Sequence, residues 1–301
     1  MRKFESMETF VKIVETGSLS AAAEQMDIAI SAVSRRLKDL ESHLGVELFH
    51  RTTRQITLTD TGHAYYLRCV QILEDVFESE VSVSQEHGEL NGKIRIALPS
   101  TFGTMHISPV FNDFIDLHLG VEFDLDFNDR AVDLIQEGFD LALRISKLDD
   151  SSLIARKICN IRRVFCASPE YLKQYGEPIT PNDLTNHRTL TYSFDRVRDT
   201  WILTSNTGKE FAVKLTPYFR ASSGEVLRDA AVKGRGIAFL PTFVVYRELK
   251  NGELVPILQE HSTPEVNLFA IYPQTRHLCA RVRAFIDFVA DRFSDTPYWD
   301  Q

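Results

Sequence analysis

The stretch SAVSRRLKDLE, Ser31–Glu41, puts Arg35, Arg36 and Lys38 on one short run of a chain whose formal net charge is -8. Val33, Leu37, Leu40 and Leu44 step by four, three and four, the spacing of a buried helical stripe, and predict a helix over 30–44. The opposite face then presents Ser31, Ser34, Arg35 and Lys38. Upstream, Met7, Phe10, Val11 and Val14 form one face of a first helix that Gly17 ends. Ser18 or Ser20 caps a second helix over about 19–26, with Leu19, Ala22, Ala23 and Met26 inward. Asp27–Ala29 is the break. Two short helices joined by a tight turn, the second offering hydroxyls and cations, make a helix-turn-helix. Hydroxyls and amides at a helix start reach base edges and phosphates, and arginine clamps guanine or phosphate. The plain alternative is a solvated charged face.

The residues that follow favour nucleic acid. In GVELFHRTTRQITLTDTG, Arg51 and Arg54 sit on a short polar turn between Leu48–Phe49 and Ile56–Leu58, as in a β-wing whose tip enters a minor groove. A long helix starts near Thr59 or Asp60. Tyr66, Val70, Leu73, Phe77, Val81 and Ser84 give it a near-heptad seam suited to a second copy, the alternative being an amphipathic helix packed on its own domain. His87–Gly92 reads as a linker.

Bulk numbers restrict the class. The 301 residues are 44% hydrophobic and 25% charged, an ordinary globular composition. No apolar run approaches the ~18 residues of a membrane span. The N-terminus lacks a signal peptide's apolar core, so a cytoplasmic location is expected. Residues 1–70 hold nine Lys/Arg and nine Asp/Glu, so residues 71–301 carry the whole -8. An acidic total is therefore compatible with a local basic footprint. Cys69, Cys159, Cys166 and Cys279 form no CxxC pair, and the nine histidines form no zinc-spaced cluster, so neither metal nor cofactor is expected. Cys159 and Cys166, seven residues apart, invite a redox switch, which burial in an apolar strand would make inert.

The rest of the chain alternates strands and helices. KIRIAL (Lys93–Leu98) feeds a helix, VEFDLDF (Val121–Phe127) is a strand, AVDLIQEG a helix stopped by Gly138, and FDLALRI a third strand. VFCAS (Val164–Ser168) opens a second series through Leu190–Phe194, Trp201–Leu203, Glu210–Leu215 and GIAFLP. A last helix runs from about Leu278 to Phe293. KGRGIAF lacks the third glycine of a dinucleotide loop and precedes a strand, so it reads as a helix end and turn. No GxSxG or P-loop occurs.

Phe10, GSLSAAAEQ (Gly17–Gln25), SAVSRRLKDLE, LGVELFHRTTR and LTDTG together resemble the LysR-type transcriptional regulators across nearly all of residues 1–65. GKIRIALPSTFG, VDLIQEGFDLALRIS, FCASPEYL, KGRGIAFLP and ARVRAFIDF have looser counterparts in that family. Many relatives carry a small hydroxyl residue and a glutamine where this chain has Ala29 and Ile30. A base-reading amide is thus missing, and Ile30 is left to meet a thymine methyl.

The resemblance implies an α/β fold class: an N-terminal winged helix-turn-helix (1–59), a linker and dimerisation helix (60–90), and an effector domain (91–301) of two lobes like periplasmic binding proteins. Lobe I is 91–162 with 267–301, and lobe II is 163–266. It also implies a homodimer through the linker helix, a homotetramer, double-stranded operator DNA as partner, no membrane, and a small effector between the lobes. Ile30, Ser31, Ser34, Arg35, Lys38, Arg51 and Arg54 are the candidate DNA contacts.

In open α/β sheets ligands lie beyond the carboxyl ends of strands, at helix starts. That rule selects Ser100, Thr101, Phe102, Asn128 and Arg144 in the first lobe, and Tyr192, Ser193, Ser222 and Ser223 in the second. The helix start and Arg144 suit a carboxylate. Each serine is equally a helix cap, and Arg144 equally a lobe–lobe ion pair. Two rivals remain at this level: a small-molecule binding protein whose N-terminal module serves assembly, and an enzyme in the α/β lobes with dispersed catalytic groups.

Overall fold

The computed structural model describes residues 2–51, 56–84, 90–146, 153–193, 199–273, 278–293 and 296–301. Three helices open the chain: α1 (Lys3–Thr16), α2 (Leu19–Gln25) and α3 (Ile30–Leu44). Gly17 closes α1 at φ 71°, a left-handed value that costs glycine nothing. Ser18 caps α2, accepting the Ala21 N–H at 3.0 Å. Asp27 turns the chain toward α3 at φ 53°. Phe10, Val11, Ile13, Ala22, Ala23, Val33 and Leu40 form the core between the three. Leu44 departs from the expected stripe and is 36% exposed. It is the last residue of α3 and stands past the edge of the core that Leu40 closes.

A hairpin follows, β1 (Phe49–Arg51) with β2 (Ile56–Leu58), Phe49 facing Leu58 and Arg51 facing Ile56. Buried Glu41 accepts the Leu48 N–H at 2.9 Å and fixes the entry to it. Thr59 Oγ1 donates to the Glu47 carbonyl at 3.0 Å and accepts the Gly62 N–H at 2.9 Å. It thereby caps α4 (Asp60–Ser84). Gly62 has no room for a side chain, because a Cβ there would lie 2.0 Å from the Leu48 carbonyl oxygen. Tyr65, Tyr66, Val70 and Leu73 of α4 pack on the head core beside buried Cys69. The first half of the seam therefore belongs to its own domain, as the plainer alternative had it. Ile72 and Phe77 stay outward, 37% and 59% exposed. The side chains of Val81 and Ser84 lie outside the described residues.

The remaining elements, in order, are β3 (Asn91–Leu98), α5 (Ser100–Phe102) running through a π-turn (Gly103–Ile107) into α6 (Ser108–Leu117), β4 (Gly120–Phe127), β5 (Leu141–Ser146), β6 (Leu153–Asn160), β7 (Arg163–Ala167), α7 (Pro169–Tyr175), β8 (Thr189–Tyr192), β9 (Thr200–Ser205), β10 (Glu210–Lys214) and β11 (Pro217–Ala221). Then come α8 (Gly224–Val232), β12 (Ile237–Pro241), α9 (Thr242–Asn251), β13 (Val255–Ile257), β14 (His261–Ser262), β15 (Asn267–Pro273) and α10 (Ala280–Arg292).

Two five-stranded sheets result, in the orders β4-β3-β5-β15-β6 and β11-β8-β12-β7-β13. In the first, β4, β3 and β5 are parallel and β15 returns antiparallel from the far end of the chain. A small antiparallel sheet, β10-β9-β14, covers the second. The expected helix over AVDLIQEG is a turn instead. Asp133 Oδ1 accepts the N–H groups of Ile135 and Gln136, both at 3.0 Å, which competes with helical pairing in so short a segment. Gly138 then leaves at φ 74°.

The chain crosses between the sheets twice, and the crossings bond to each other: the Ile161 N–H donates to the Val266 carbonyl at 2.9 Å. The C-terminus lies on this hinge. Asp300 pairs with Arg162 at 3.2 Å, and Trp299, 4% exposed, packs on Phe102, His106, Phe243 and Phe293. His106 Nε2–H donates to the Phe243 carbonyl at 3.1 Å, which leaves Nδ1 to accept from the Tyr298 hydroxyl. Burial pushes His106 down to about 4. At the other end of the first sheet, Tyr66, Leu67 and Val70 of α4 meet Lys93, Arg95, Asp124, Gly138 and Asp140 around a cavity of about 160 Å³.

Two outcomes follow. Gly62→Ala should lower unfolding stability by about 1–3 kcal/mol, read by urea denaturation, because the first turn of α4 has to move off Leu48. His106, with its folded pKa below the unfolded value near 6.5, resists protonation, so acid favours the unfolded chain. Stability should therefore fall between about pH 6.5 and pH 4, and His106→Leu should flatten that part of the pH profile.

Candidate nucleic-acid interface and effector cleft

Burying Val33 and Leu40 against α1 and α2 fixes which side of α3 faces outward. Ile30, Ser31, Ser34, Arg35 and Lys38 are all exposed, in the arrangement their spacing implied. Arg36 points the other way: its guanidinium meets Glu5 at 3.0 Å and the Thr9 hydroxyl at 3.3 Å on α1. Among the described residues neither Arg35 nor Lys38 makes a side-chain ion pair or hydrogen bond. Ala29 at the start of α3 supplies no side-chain cap; the Ala32 N–H turns back to the Ala29 carbonyl at 2.8 Å, which leaves the N–H groups of Ile30 and Ser31 for an anion. Arg51 ends β1 at the base of the wing. Its side chain, and Arg54 entirely, lie outside the described residues.

The candidate effector residues fall into two groups. At the carboxyl edge of the first sheet, Asn128 follows β4 with its N–H on the Leu98 carbonyl at 2.9 Å. Arg144 Nη1 donates to the Asn128 carbonyl at 3.3 Å. Arg144 Nη2 and Asn128 Oδ1 are both buried and have no hydrogen-bond partner among the described residues. Orphans of opposite kind on one edge suit a polar guest that accepts from one and donates to the other. Burial lowers the Arg144 pKa, an effect a bound anion would offset. Among the described residues the lobe–lobe ion pair considered for Arg144 is not formed, its charged neighbours there being Asp126, Asp129, Arg130 and Glu137 of its own lobe.

The second group spans the lobes. Thr101 Oγ1 donates to Glu225 Oε2 at 2.6 Å, and Ser223 Oγ donates to the same oxygen at 2.7 Å. Ser223 is also the cap of α8, accepting the Val226 N–H at 3.3 Å. Tyr192 brings its hydroxyl against Gly224, where a Cβ would lie 2.6 Å away. Ser100 and Ser193 are half-buried nearby in sequence, and Ser222 is exposed. Phe102 is corrected: it is fully buried in the aromatic cluster around Trp299, so its side chain is core. Glu225 is the residue that sequence reading missed. An acid two places after a capping serine was visible, but its reach to Thr101 was not.

Burial pushes the Cys159 and Cys166 thiols up to about 12, which leaves a redox switch without thiolate at neutral pH. Among the described residues no group of three or more His, Cys, Asp or Glu is placed to hold a metal, and no helix is long and apolar enough to cross a membrane.

Comparison with known proteins agrees with this layout. Residues 4–63 match the bacterial regulatory helix-turn-helix protein family, lysR type, and residues 87–294 match the LysR substrate binding domain. An uncharacterized HTH-type transcriptional regulator of Haemophilus influenzae is 38% identical over 282 residues, 94% of this chain and 98% of that one. The regulator CrgA of Neisseria meningitidis serogroup C is 35% identical, with 97% of each chain covered. A solved structure of CrgA superposes with TM-score 0.61 at 34% identity, covering 95% of this chain and 97% of that one. The full-length Vibrio cholerae virulence activator AphB does so with TM-score 0.61 at 30% identity, covering 97% and 99%. A winged head, a long helix and two α/β lobes in one order, matched along nearly the whole length, make this chain a member of the LysR family of transcriptional regulators, with a DNA-binding head and an effector-binding domain, and not an enzyme.

Proposed function

We propose that the chain works in the cytoplasm as a sequence-specific operator binder, with α3 in the major groove. One observation carries the reading: α3 spends its inward cation, Arg36, on Glu5 and keeps Arg35 and Lys38 on the outside, without a partner among the described residues. Arg35 and Lys38 attract phosphate, Ser31 and Ser34 reach base edges, and Ile30 meets a thymine methyl. Arg54 enters the wing-side groove, and Arg51 supports it along the backbone. Residues 1–59 are the reading head, 60–90 the pairing helix and 91–301 the effector domain, with lobes 91–162 plus 267–301 and 163–266. Exposed Ile72 and Phe77 support pairing of α4 with a second copy, and pairs assemble into tetramers through the lobes.

The effector is a small carboxylate metabolite held between the lobes by Ser100, Thr101, Asn128, Arg144, Tyr192, Ser193, Ser222 and Ser223. The orphaned Arg144 N–H supports an anion there. Its binding shifts the population between two arrangements of the lobes and so the spacing of the heads.

A gel shift on the promoter beside the chain's own gene, at two salt concentrations, tests the head. Arg35→Ala and Lys38→Ala should each weaken binding by about tenfold and reduce the salt slope by about 0.9 per lost phosphate contact. Unaltered binding in both removes α3 from the interface. Calorimetry with a panel of organic acids tests the cleft: an acid that binds wild type should lose about tenfold or more in Arg144→Ala and in Thr101→Ala. Equal affinity in both variants removes that site.

A further inference from the structure

The two hydroxyls best placed to hold an effector's carboxylate already hold one. A hydroxyl has a single proton to donate. Thr101 gives its proton to Glu225 Oε2 at 2.6 Å, and Ser223 gives its own to the same atom at 2.7 Å. Each oxygen is also occupied as an acceptor, Thr101 Oγ1 by the Gly224 N–H at 3.4 Å and Ser223 Oγ by the Val226 N–H at 3.3 Å. A second carboxylate arriving here would meet lone pairs and a like charge.

An acid in the first turn of α8 has a plain use, since it offsets the helix dipole. That use asks nothing of Thr101, which lies 124 residues away in the other lobe. Glu225 reaches across the cleft, and its bond to Thr101 ties lobe I to lobe II. Burial pushes its carboxyl up, but the bonds from Thr101, its own N–H and Ser223, with the charge of Arg228, together hold it below the ordinary value. It is therefore an anion at neutral pH.

We propose that Glu225 is a built-in stand-in for the effector's carboxylate, latching the empty cleft through Thr101 and Ser223, and that an acidic effector binds by displacing it. This rests on the reading of the cleft as a carboxylate site. Displacement breaks the Thr101–Glu225 bond between lobes as the effector's own bonds form. Binding energy is thus tied to release of a lobe–lobe contact, as a switch requires. It also makes Glu225 a specificity determinant, because a neutral acceptor replaces two charge-assisted bonds with weaker ones and so competes poorly with the resident carboxylate.

Chemical rescue tests this without knowledge of the natural effector and without DNA. Thermal unfolding of the full chain is followed in sodium acetate and in sodium chloride of equal ionic strength at pH 7, for wild type, Glu225→Ala and the double variant Thr101→Val, Glu225→Ala. Acetate should raise the midpoint of Glu225→Ala by about 2–4 °C at ten times its dissociation constant, and raise neither wild type nor the double variant comparably. Equal shifts in all three overturn the proposal. A double-mutant cycle of Thr101→Val with Glu225→Gln, which keeps the side chain's shape, reads the latch should Glu225→Ala not fold. Strict additivity in unfolding overturns it. A failed rescue beside an organic acid whose affinity, by calorimetry, falls in Arg144→Ala would sink the displacement idea alone, whereas equal affinity of that acid in Arg144→Ala and Thr101→Ala would sink the carboxylate reading of the cleft.

Discussion

Packing Val33 and Leu40 of α3 against α1 fixes the direction of everything else that helix carries. A helix cannot bury one side without committing the opposite side to solvent or a partner. Arg36, on the flank, is neutralised by Glu5 across α1. The charge that remains without a partner among the described residues, Arg35 and Lys38, then lies beside Ile30, Ser31 and Ser34 on a single surface. The surplus acid of the chain lies beyond residue 70. Long-range fields from the lobes oppose DNA, so attraction has to come from a compact cationic surface acting within a Debye length.

The head is held to its helix by backbone polarity as much as by apolar contact. Glu41 satisfies the Leu48 N–H inside the core, and Thr59 serves the hairpin and the start of α4 at once. Gly62 lets α4 come down on Leu48, so this long helix starts from a fixed point on the head. Further along, α4 adjoins the lobe I residues Lys93, Arg95, Asp124 and Asp140. A change in lobe I thus has a short physical route to the head.

The lobes meet at a hinge that is bonded and greased together. Ile161 and Val266 link the two crossings, Arg162 pairs with Asp300, and the Trp299 indole packs on residues of both lobes. Such a hinge resists gradual deformation and favours a small number of discrete arrangements. The cleft in front of it has two unlike halves. Thr101 and Ser223 both give their hydroxyl protons to Glu225, while at Arg144 and Asn128 a donor and an acceptor are buried without partners among the described residues. The second half invites a guest and the first has a resident.

By itself the sequence determined the elements whose signal is local. The four-three spacing of Val33, Leu37 and Leu40, the glycine after α1, a cap at Ser18 or Ser20 and another at Thr59 or Asp60, and the alternation in Lys93–Leu98 and Val121–Phe127 each reflect contacts or caps within a few residues. The exposed side of α3, with Ser31, Ser34, Arg35 and Lys38, was legible for the same reason, since a helix's exposed side is the complement of its buried one. Tertiary structure decided whatever depends on residues distant in the chain. It made a turn of AVDLIQEG, left Leu44 outside the core and set Phe102 inside it beneath Trp299. It returned β15 to the middle of the first sheet. Above all it brought Glu225 to Thr101, a contact that exists only once two lobes have closed on each other, and that no window of sequence contains.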